Sequence, residues 1–445
     1  MMNNNFHTKL LQHQEVAFLK LKDLKVGALF MDMGTGKTRT IFEVFDYKYR
    51  KNKVNKLVFI CPFTTKENIY MEFKKHFKII PNFELYAYET IQSSDAKYLK
   101  MFNSIDEKTM LVLDESHFIK NIKSKRTDRM LAISKKVKYK FIMTGTPTPK
   151  HAGDLYAQFN FLDPRILGYP SYNQFVKKHL ELDKGGLYVK KSHNLDYLTS
   201  KIIHYTYQVK KYECLTLPPK EQHTLYTYMD LLSKDDYYKF KSFYLDRIID
   251  CDYVQEGVIF SMYTVLQHIC DLSDNKYFEM LDVIENLKGR KIIYFKFIDS
   301  LNKAKKMIKA NGIETFEYSG RYSLHDRSIN LRNWKASANG VLLITYGTGA
   351  FSLNLQESNI IIYMNLTFDY SKRIQSEDRI HRIGQDKECK YIQICTEAGI
   401  ESIINKSIDK KVNFIIELTK EINAIKNNKT IDTRKELQAL WERYT

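Results

Sequence analysis

Two short segments hold residues suited to phosphate chemistry. Val112–Leu113–Asp114–Glu115 is an apolar run that ends in paired acids, and QSEDRIHRIGQ, Gln375–Gln385, carries Gln375, Arg379 and Arg382. Cleaving a phosphoanhydride calls for both kinds of group: carboxylates to hold a metal and prime a water, and guanidinium groups to neutralise charge as the bond breaks. If the second segment is an amphipathic helix, the spacing puts the two arginines on one face. The segments stand far apart in the chain, so two domains are expected to meet at one nucleotide.

A third segment supplies the phosphate grip. Leu29–Phe30–Met31 reads as the apolar end of a strand, and Asp32–Met33–Gly34–Thr35–Gly36–Lys37–Thr38 leads from it into a helical pattern. Gly34 and Gly36 let backbone N–H groups approach phosphate oxygens. Lys37 is placed to reach the β/γ-phosphates and Thr38 to ligate Mg²⁺, with the helix dipole favouring the anion. Nucleotide contacts are expected from Met33 through Arg39. The strict phosphate-loop formula has glycine where this chain has Met31. Asp114 is then expected to hold Mg²⁺ through water, and Glu115 to orient and deprotonate the attacking water. Thr144–Gly145–Thr146–Pro147 reads either as a simple turn or as a hydroxyl relay from the metal carboxylates toward the neighbouring domain. Gln14 has the donor and acceptor that suit an adenine edge, but an exposed helical glutamine fits equally. Gly347–Thr348–Gly349 and Asn354–Leu355 would let backbone approach a phosphate of either ATP or nucleic acid.

These segments need a scaffold, and the chain's patterning predicts one. Short apolar runs alternate with longer amphipathic ones in two regions, the signature of an α/β fold with parallel sheets. Strands are expected at Val26–Met31, Lys56–Cys61, Leu85–Tyr88, Met110–Leu113 and Phe141–Thr144. A second set is expected at Lys291–Phe295, Glu314–Tyr318, Val341–Thr345, Ile360–Met364 and Cys389–Cys395. Between the two sets, Arg165 to Lys276 reads mainly as helix, including Glu221–Leu232 and Gly257–Ile269. The tail from Gly399 also reads as helix. Lysine pairs at 177–178, 190–191 and 210–211 fit either a clamp on nucleic acid or solvated helix surface.

Composition narrows the class. With 445 residues, two or three domains are expected. The net charge of +18 suits a polyanion, with nucleic acid the usual one. None of the six cysteines forms a CxxC pair, so free thiols are expected rather than a zinc site. No apolar run is long enough to span a bilayer, and the N-terminus lacks a secretion-signal core, which makes the cytoplasm the expected location.

Taken in order, Gln14, MGTGKT, ICPFTTKENIYMEF, DESHFIKN, TGTP, NFLDPRILG, YSG, GTGAFSLNL and QSEDRIHRIGQ resemble the superfamily-two helicase-related ATPases, and within them the Swi/Snf-type DNA translocases. The resemblance covers about Leu10 to Lys411. It implies two RecA-like lobes, residues 1–165 and 277–411, with a mainly helical region at 166–276 and a helical tail at 412–445. It implies ATP and Mg²⁺ in a cleft served by Lys37, Thr38, Asp114 and Glu115 from one lobe. Arg379 and Arg382 would be arginine fingers from the other, with Gln375 beside them and Gln14 at adenine. Phe63–Thr64–Thr65, Lys120–Asn121, Thr146 and Thr345 match segments that touch the nucleic-acid backbone, and His117 and the TGTP segment match coupling elements. The family's tryptophans are Ile69 and Phe368 here, its Lys-Ala-Gly-Gly is Gly347–Ala350, and its Arg-Arg pair is Tyr207–Gln208, with Lys210 and Leu217–Pro218 retained. The expectation is a monomeric ATP-driven motor on double-stranded DNA, from a virus, bacteriophage or bacterium. Alternatives are a strand-separating or strand-annealing helicase on DNA or RNA, and a scaffold with a weak ATPase.

Overall fold

The computed structural model describes residues 5–148, 151–182, 189–349, 353–367, 370–409, 414–428 and 433–444. The chain divides into two compact units, Met1–Leu217 and, for the most part, Pro218–Ala350 with Asn354–Thr445. Phe368, Ala350 and the first two residues of FSLNL lie outside the described residues.

The first unit contains β1 (Val26–Met31), β2 (Lys56–Cys61), β3 (Phe83–Ala87), β4 (Thr109–Asp114), β5 (Tyr139–Met143), β6 (Leu180–Leu182), β7 (Val189–Ser192) and β8 (Thr206–Val209). Six of these form one sheet in the order β3-β2-β4-β5-β1-β8, and β6 and β7 pair as a small antiparallel ribbon. Every pair in the large sheet is parallel. The strands are near-continuous apolar runs because both faces are covered. Alternate residues supply two separate cores. Ala28, Phe30, Val58, Ile60, Leu111, Leu113 and Ile142 pack on one side. Leu29, Met31, Leu57, Phe59, Met110, Val112, Phe141 and Met143 pack on the other.

The second unit contains β9 (Lys220–Thr227), β10 (Lys291–Phe295), β11 (Thr315–Tyr318), β12 (Val341–Thr345), β13 (Ile360–Tyr363) and β14 (Cys389–Thr396), ordered β11-β12-β10-β13-β14-β9 and again all parallel. One face is aliphatic, with Ile293, Leu343, Ile362 and Ile394. The other carries a tyrosine stack, Tyr294 and Tyr346 each lying near Tyr363. The helices Leu231–Asp250 and Glu256–Asp271 share a third core with the tail helices Phe414–Asn428 and Thr433–Tyr444, through residues such as Tyr263, Leu418 and Trp441.

The two-sheet α/β expectation holds, and the ten expected strands fall within a residue or two of the observed ones. The middle segment needs correction. Residues 220–227, expected to be helical, form β9 and pair with β14 from Lys220↔Cys389 to Thr227↔Thr396. Thr224, Tyr226 and Thr227 favour an extended chain, and the pairing with β14 outweighs any helical spacing of the leucines. β8 joins the first sheet from the same segment, so residues 166–276 are shared between the units, which meet at Leu217–Pro218. No helix among the described residues is long and apolar enough to cross a membrane.

Candidate nucleotide site

Parallel register brings three of the expected segments to one edge of the first sheet. Leu29 of β1 stands opposite Met143 of β5, and Met143 opposite Asp114 of β4. The loops that leave these strands at their carboxyl ends are therefore neighbours, the position where open α/β sheets bind ligands.

The loop after β1 turns through Gly34 and Gly36, with φ of +78° and +86°, and enters the helix Lys37–Arg50. A side chain at position 36 would be strained twice over, by that φ and by a Cβ placed 2.0 Å from Gln14 Nε2. The helix has neither a side-chain cap nor an acid in its first turn, so its first N–H groups are left for an anion. Lys37 Nζ donates to the carbonyls of Met31 at 2.8 Å and Asp32 at 3.2 Å, which holds the ammonium over the loop. Thr35 Oγ1 closes the turn on Asp32 O at 2.7 Å. Met33 and Thr38 are half-buried beside it. Gln14 is buried: its Nε2 donates to Thr35 O at 3.1 Å and its Oε1 accepts from Leu11 N at 3.0 Å. His13, which the sequence reading missed, also reaches Thr35 O through Nε2 at 2.8 Å. Arg39 departs from expectation. Its guanidinium lies 3.8 Å from the Phe6 ring centre, bonds Thr8 and pairs with Glu43, so it secures the N-terminal segment.

Glu115 adopts a left-handed backbone, φ +49°, that only a few non-glycine residues hold and that costs of order 1–3 kcal/mol. The strain turns its carboxylate toward the loop after β5. Thr144 Oγ1 donates to Glu115 Oε2 at 3.1 Å and accepts from Thr146 N at 3.1 Å. His117 Nδ1 lies 3.1 Å from Thr144 Oγ1 and 3.3 Å from Glu115 Oε2. Gly145 packs against Met33 of the phosphate loop. Gln158, unmarked in the sequence, ties the two loops together: its Oε1 accepts from Ser116 at 2.6 Å and its Nε2 donates to Pro147 O at 2.8 Å.

The electrostatics separate the two acids. Burial and the charge of Glu115 push Asp114 up to about 7. Burial would raise Glu115 as well, but His117, Lys37 and Thr144 outweigh it and hold that carboxyl at about 2. Asp114, buried at the sheet edge, and Thr38, half-buried at the start of the helix, are oxygen donors of the kind a hard divalent cation takes.

The backbone-contact candidates are spread more widely. Phe63–Thr65 is a single 3-10 turn with Phe63 exposed, the Thr64 hydroxyl buried without a protein partner, and Thr65 bonded to Pro62 O at 2.9 Å. Lys120 is half-buried, and the exposed Asn121 accepts from Lys123 N at 3.0 Å.

In the second unit, Gln375 lies in the helix Tyr370–Glu377, which stops short of the arginines. Arg379 and Arg382 therefore sit on the turns that follow, not on one helix face. Beyond the helix, Leu355 N donates to Arg379 O at 3.2 Å, and Gln385 Nε2 donates to Ile380 O at 3.3 Å and to Ser358 O at 2.9 Å. Arg382 Nη1 donates to Asn354 Oδ1. Arg379 is buried, close enough to Tyr294 to oppose the rise that burial gives that hydroxyl. Thr345 ends β12 with its hydroxyl 2.8 Å from that of Thr348, and Gly349 closes the short helix Tyr346–Gly349.

Residues 82–274 match the SNF2-related domain, residues 275–384 the helicase conserved C-terminal domain, and residues 7–151 the type III restriction enzyme, res subunit. The chain is thus similar to SNF2-related and helicase C-terminal domains over residues 82–384. It is 28% identical to an uncharacterized ATP-dependent helicase of Mycoplasma pneumoniae, across 94% of this chain and 45% of that protein. A second such helicase, from Mycoplasma genitalium, is 26% identical across 94% of this chain and 44% of its own length. The chain thus spans less than half the length of these two relatives. Among solved structures, the Sulfolobus solfataricus SWI2/SNF2 ATPase core in complex with dsDNA is 20% identical, with a TM-score of 0.44 and 98% of each chain covered.

Proposed function

We propose that this SNF2-related chain is an ATP-driven translocase on double-stranded DNA. The observation that carries the reading is the convergence of Lys37, the Asp114–Glu115 pair and Thr144 on one sheet edge. Lys37 and the amides of the glycine loop would hold the triphosphate. Thr38 and Asp114 would hold Mg²⁺, which would add positive charge at the phosphate oxygens. Glu115, aimed by Thr144, would orient the attacking water and take its proton. Gln14 would face adenine from beside the loop it braces. Arg379 and Arg382 would neutralise the charge that develops on the same nucleotide, with Gln375 beside them. Because both units then serve one triphosphate, binding would draw them together and hydrolysis would release them.

The net charge of +18 supports a grip on the phosphate backbone that is indifferent to sequence and weakened by salt. Phe63–Thr65, Lys120, Asn121, Thr146 and Thr345 are the residues we assign to it. ATP hydrolysis measured with duplex DNA, single-stranded DNA, RNA and no nucleic acid tests the reading, paired with displacement of a triplex-forming strand. Stimulation by duplex with triplex displacement and no unwinding is expected. Equal hydrolysis under all four conditions would refute it.

A further inference from the structure

The first unit carries a cavity at the sheet edge opposite the phosphate loop, and the proposed motor does not use it. β1 begins there, and its six residues set the cavity roughly 17 Å from that loop. The volume is about 470 Å³, within the range of small-molecule pockets. Leu24, Val26, Val137, Leu162 and Tyr205 supply apolar walls. Those walls are braced from behind. Lys48, fully buried, donates to the carbonyls of Lys22 and Leu24, each at 2.6 Å, and so holds the turn that leads into β1. Lys140 N donates to Lys25 O at 2.9 Å and ties the same turn to β5.

Four cationic residues and two acids also line the cavity, and their charges do not cancel. Arg165 is taken up by Asp163, with Nη2 donating to Oδ2 at 2.6 Å, and Lys138 is taken up by Glu107. Asp23 Oδ1 accepts from the Tyr47 hydroxyl at 3.1 Å. Lys25 and Lys140 make no side-chain hydrogen bond or ion pair with any described residue. Lys140 is half-buried, and burial lowers its pKa although Asp163 pulls the other way. An ammonium withdrawn from water and left without a partner is costly until an anion joins it.

We infer that this cavity binds a small aromatic phosphate monoester, with the ring against Tyr205 and the aliphatic walls and the phosphate at Lys140, where Lys25 adds a second positive charge. Bare phosphate would leave the apolar walls uncovered, and a neutral ring would leave Lys140 without a counter-ion. The backbone of a nucleic acid suits the cavity less well, because a polyanion would also meet Asp23, which has no ion-pair partner among the described residues.

The test is calorimetric titration of the full chain with naphthyl phosphate, beside naphthol and inorganic phosphate. The ester is expected to bind with Kd below about 1 mM, and the other two at least about tenfold more weakly. Lys140→Met keeps the stem and removes the charge, and it should weaken the ester about tenfold or more. Tyr205→Ala should weaken it about fivefold, and Lys140→Arg less than about threefold. Lys37→Ala should leave ester binding unchanged, since the phosphate loop lies at the other end of β1. Failure of the wild-type chain to bind the ester would overturn the site, as would undiminished binding by both Lys140→Met and Tyr205→Ala. Loss of binding in Lys37→Ala would place the ester at the phosphate loop and overturn it too. Displacement of the ester by a short DNA duplex would assign the cavity to nucleic acid instead. Binding is read directly, so the result is separate from whether the chain hydrolyses ATP.

Discussion

The hydroxyl of Thr144 donates to Glu115 Oε2 at 3.1 Å while accepting the N–H of Thr146. The residue that would activate water is thereby held by the loop assigned to coupling. A change in the path of Thr146 would move the Thr144 hydroxyl, and the Glu115 carboxylate would lose its aim. Thr144→Ala should lower kcat about tenfold or more, whereas Thr144→Ser should keep most of it. A stimulated-ATPase comparison of the two variants checks this; equal activity in both would remove Thr144 from the relay.

Lys37→Ala should abolish turnover and leave the melting temperature within a few degrees of wild type. The lost contacts are two hydrogen bonds from a half-buried ammonium to carbonyls of its own loop, and each is worth only about 1 kcal/mol. Calorimetry beside an ATPase assay checks both halves of the expectation.

Gly36→Ala should damage the loop by a different route. The added methyl would need the space of the Gln14 amide, 2.0 Å away, at a φ of +86°. Loss of ATP binding is expected, with destabilisation of about 1–3 kcal/mol. Gln14→Ala made with Gly36→Ala should relieve the clash without relieving the φ, so the double variant should recover part of the stability. Denaturant titration reads the difference.

The expected pH dependence is clearest away from the nucleotide. Asp230 caps the helix Leu231–Asp250, accepting from Ser233 N at 2.9 Å, and also accepts from Asp274 N at 3.0 Å at the start of the next helix but one. Burial would raise this carboxyl, but the amide and hydroxyl donors outweigh it and hold it at about 2, below its usual 3.8. A depressed carboxyl stabilises the fold above its unfolded pKa, and that contribution is lost as pH falls from about 4 through about 2. Asp230→Ala should cost about 1 kcal/mol at neutral pH and progressively less on acidification. A pH series of urea melts checks the sign.

Much of the scaffold was legible because a fully buried parallel strand has to be an apolar run; β1, β2, β10 and β12 fall where such runs lie. The phosphate loop was legible because few backbones other than this one ask for glycine twice before a lysine. β9 was not, since an edge strand with one buried residue in eight, Thr227, carries almost no period-two signal and takes its identity from β14. The arginines were assigned to a helix because their spacing allows one. The helix ends at Glu377, and beyond it Leu355 N takes the Arg379 carbonyl and Gln385 Nε2 the Ile380 carbonyl, contacts that the arginine spacing does not reveal. Gln158 and His13 were missed because a buried polar residue in a helix looks like any other until its partner is known, and the tie of the Arg39 side chain to the N-terminal segment was not legible because its partners Phe6 and Thr8 precede the motif.

The central claim is that the phosphate loop of the first unit and the arginines of the second act on one nucleotide. The most direct measurement is kcat for ATP hydrolysis by Arg379→Ala and Arg382→Ala with saturating duplex DNA, alongside ATP affinity. Loss of kcat by a factor of about 10³ or more, with affinity close to wild type, is predicted. Hydrolysis by both variants at the wild-type rate would contradict it.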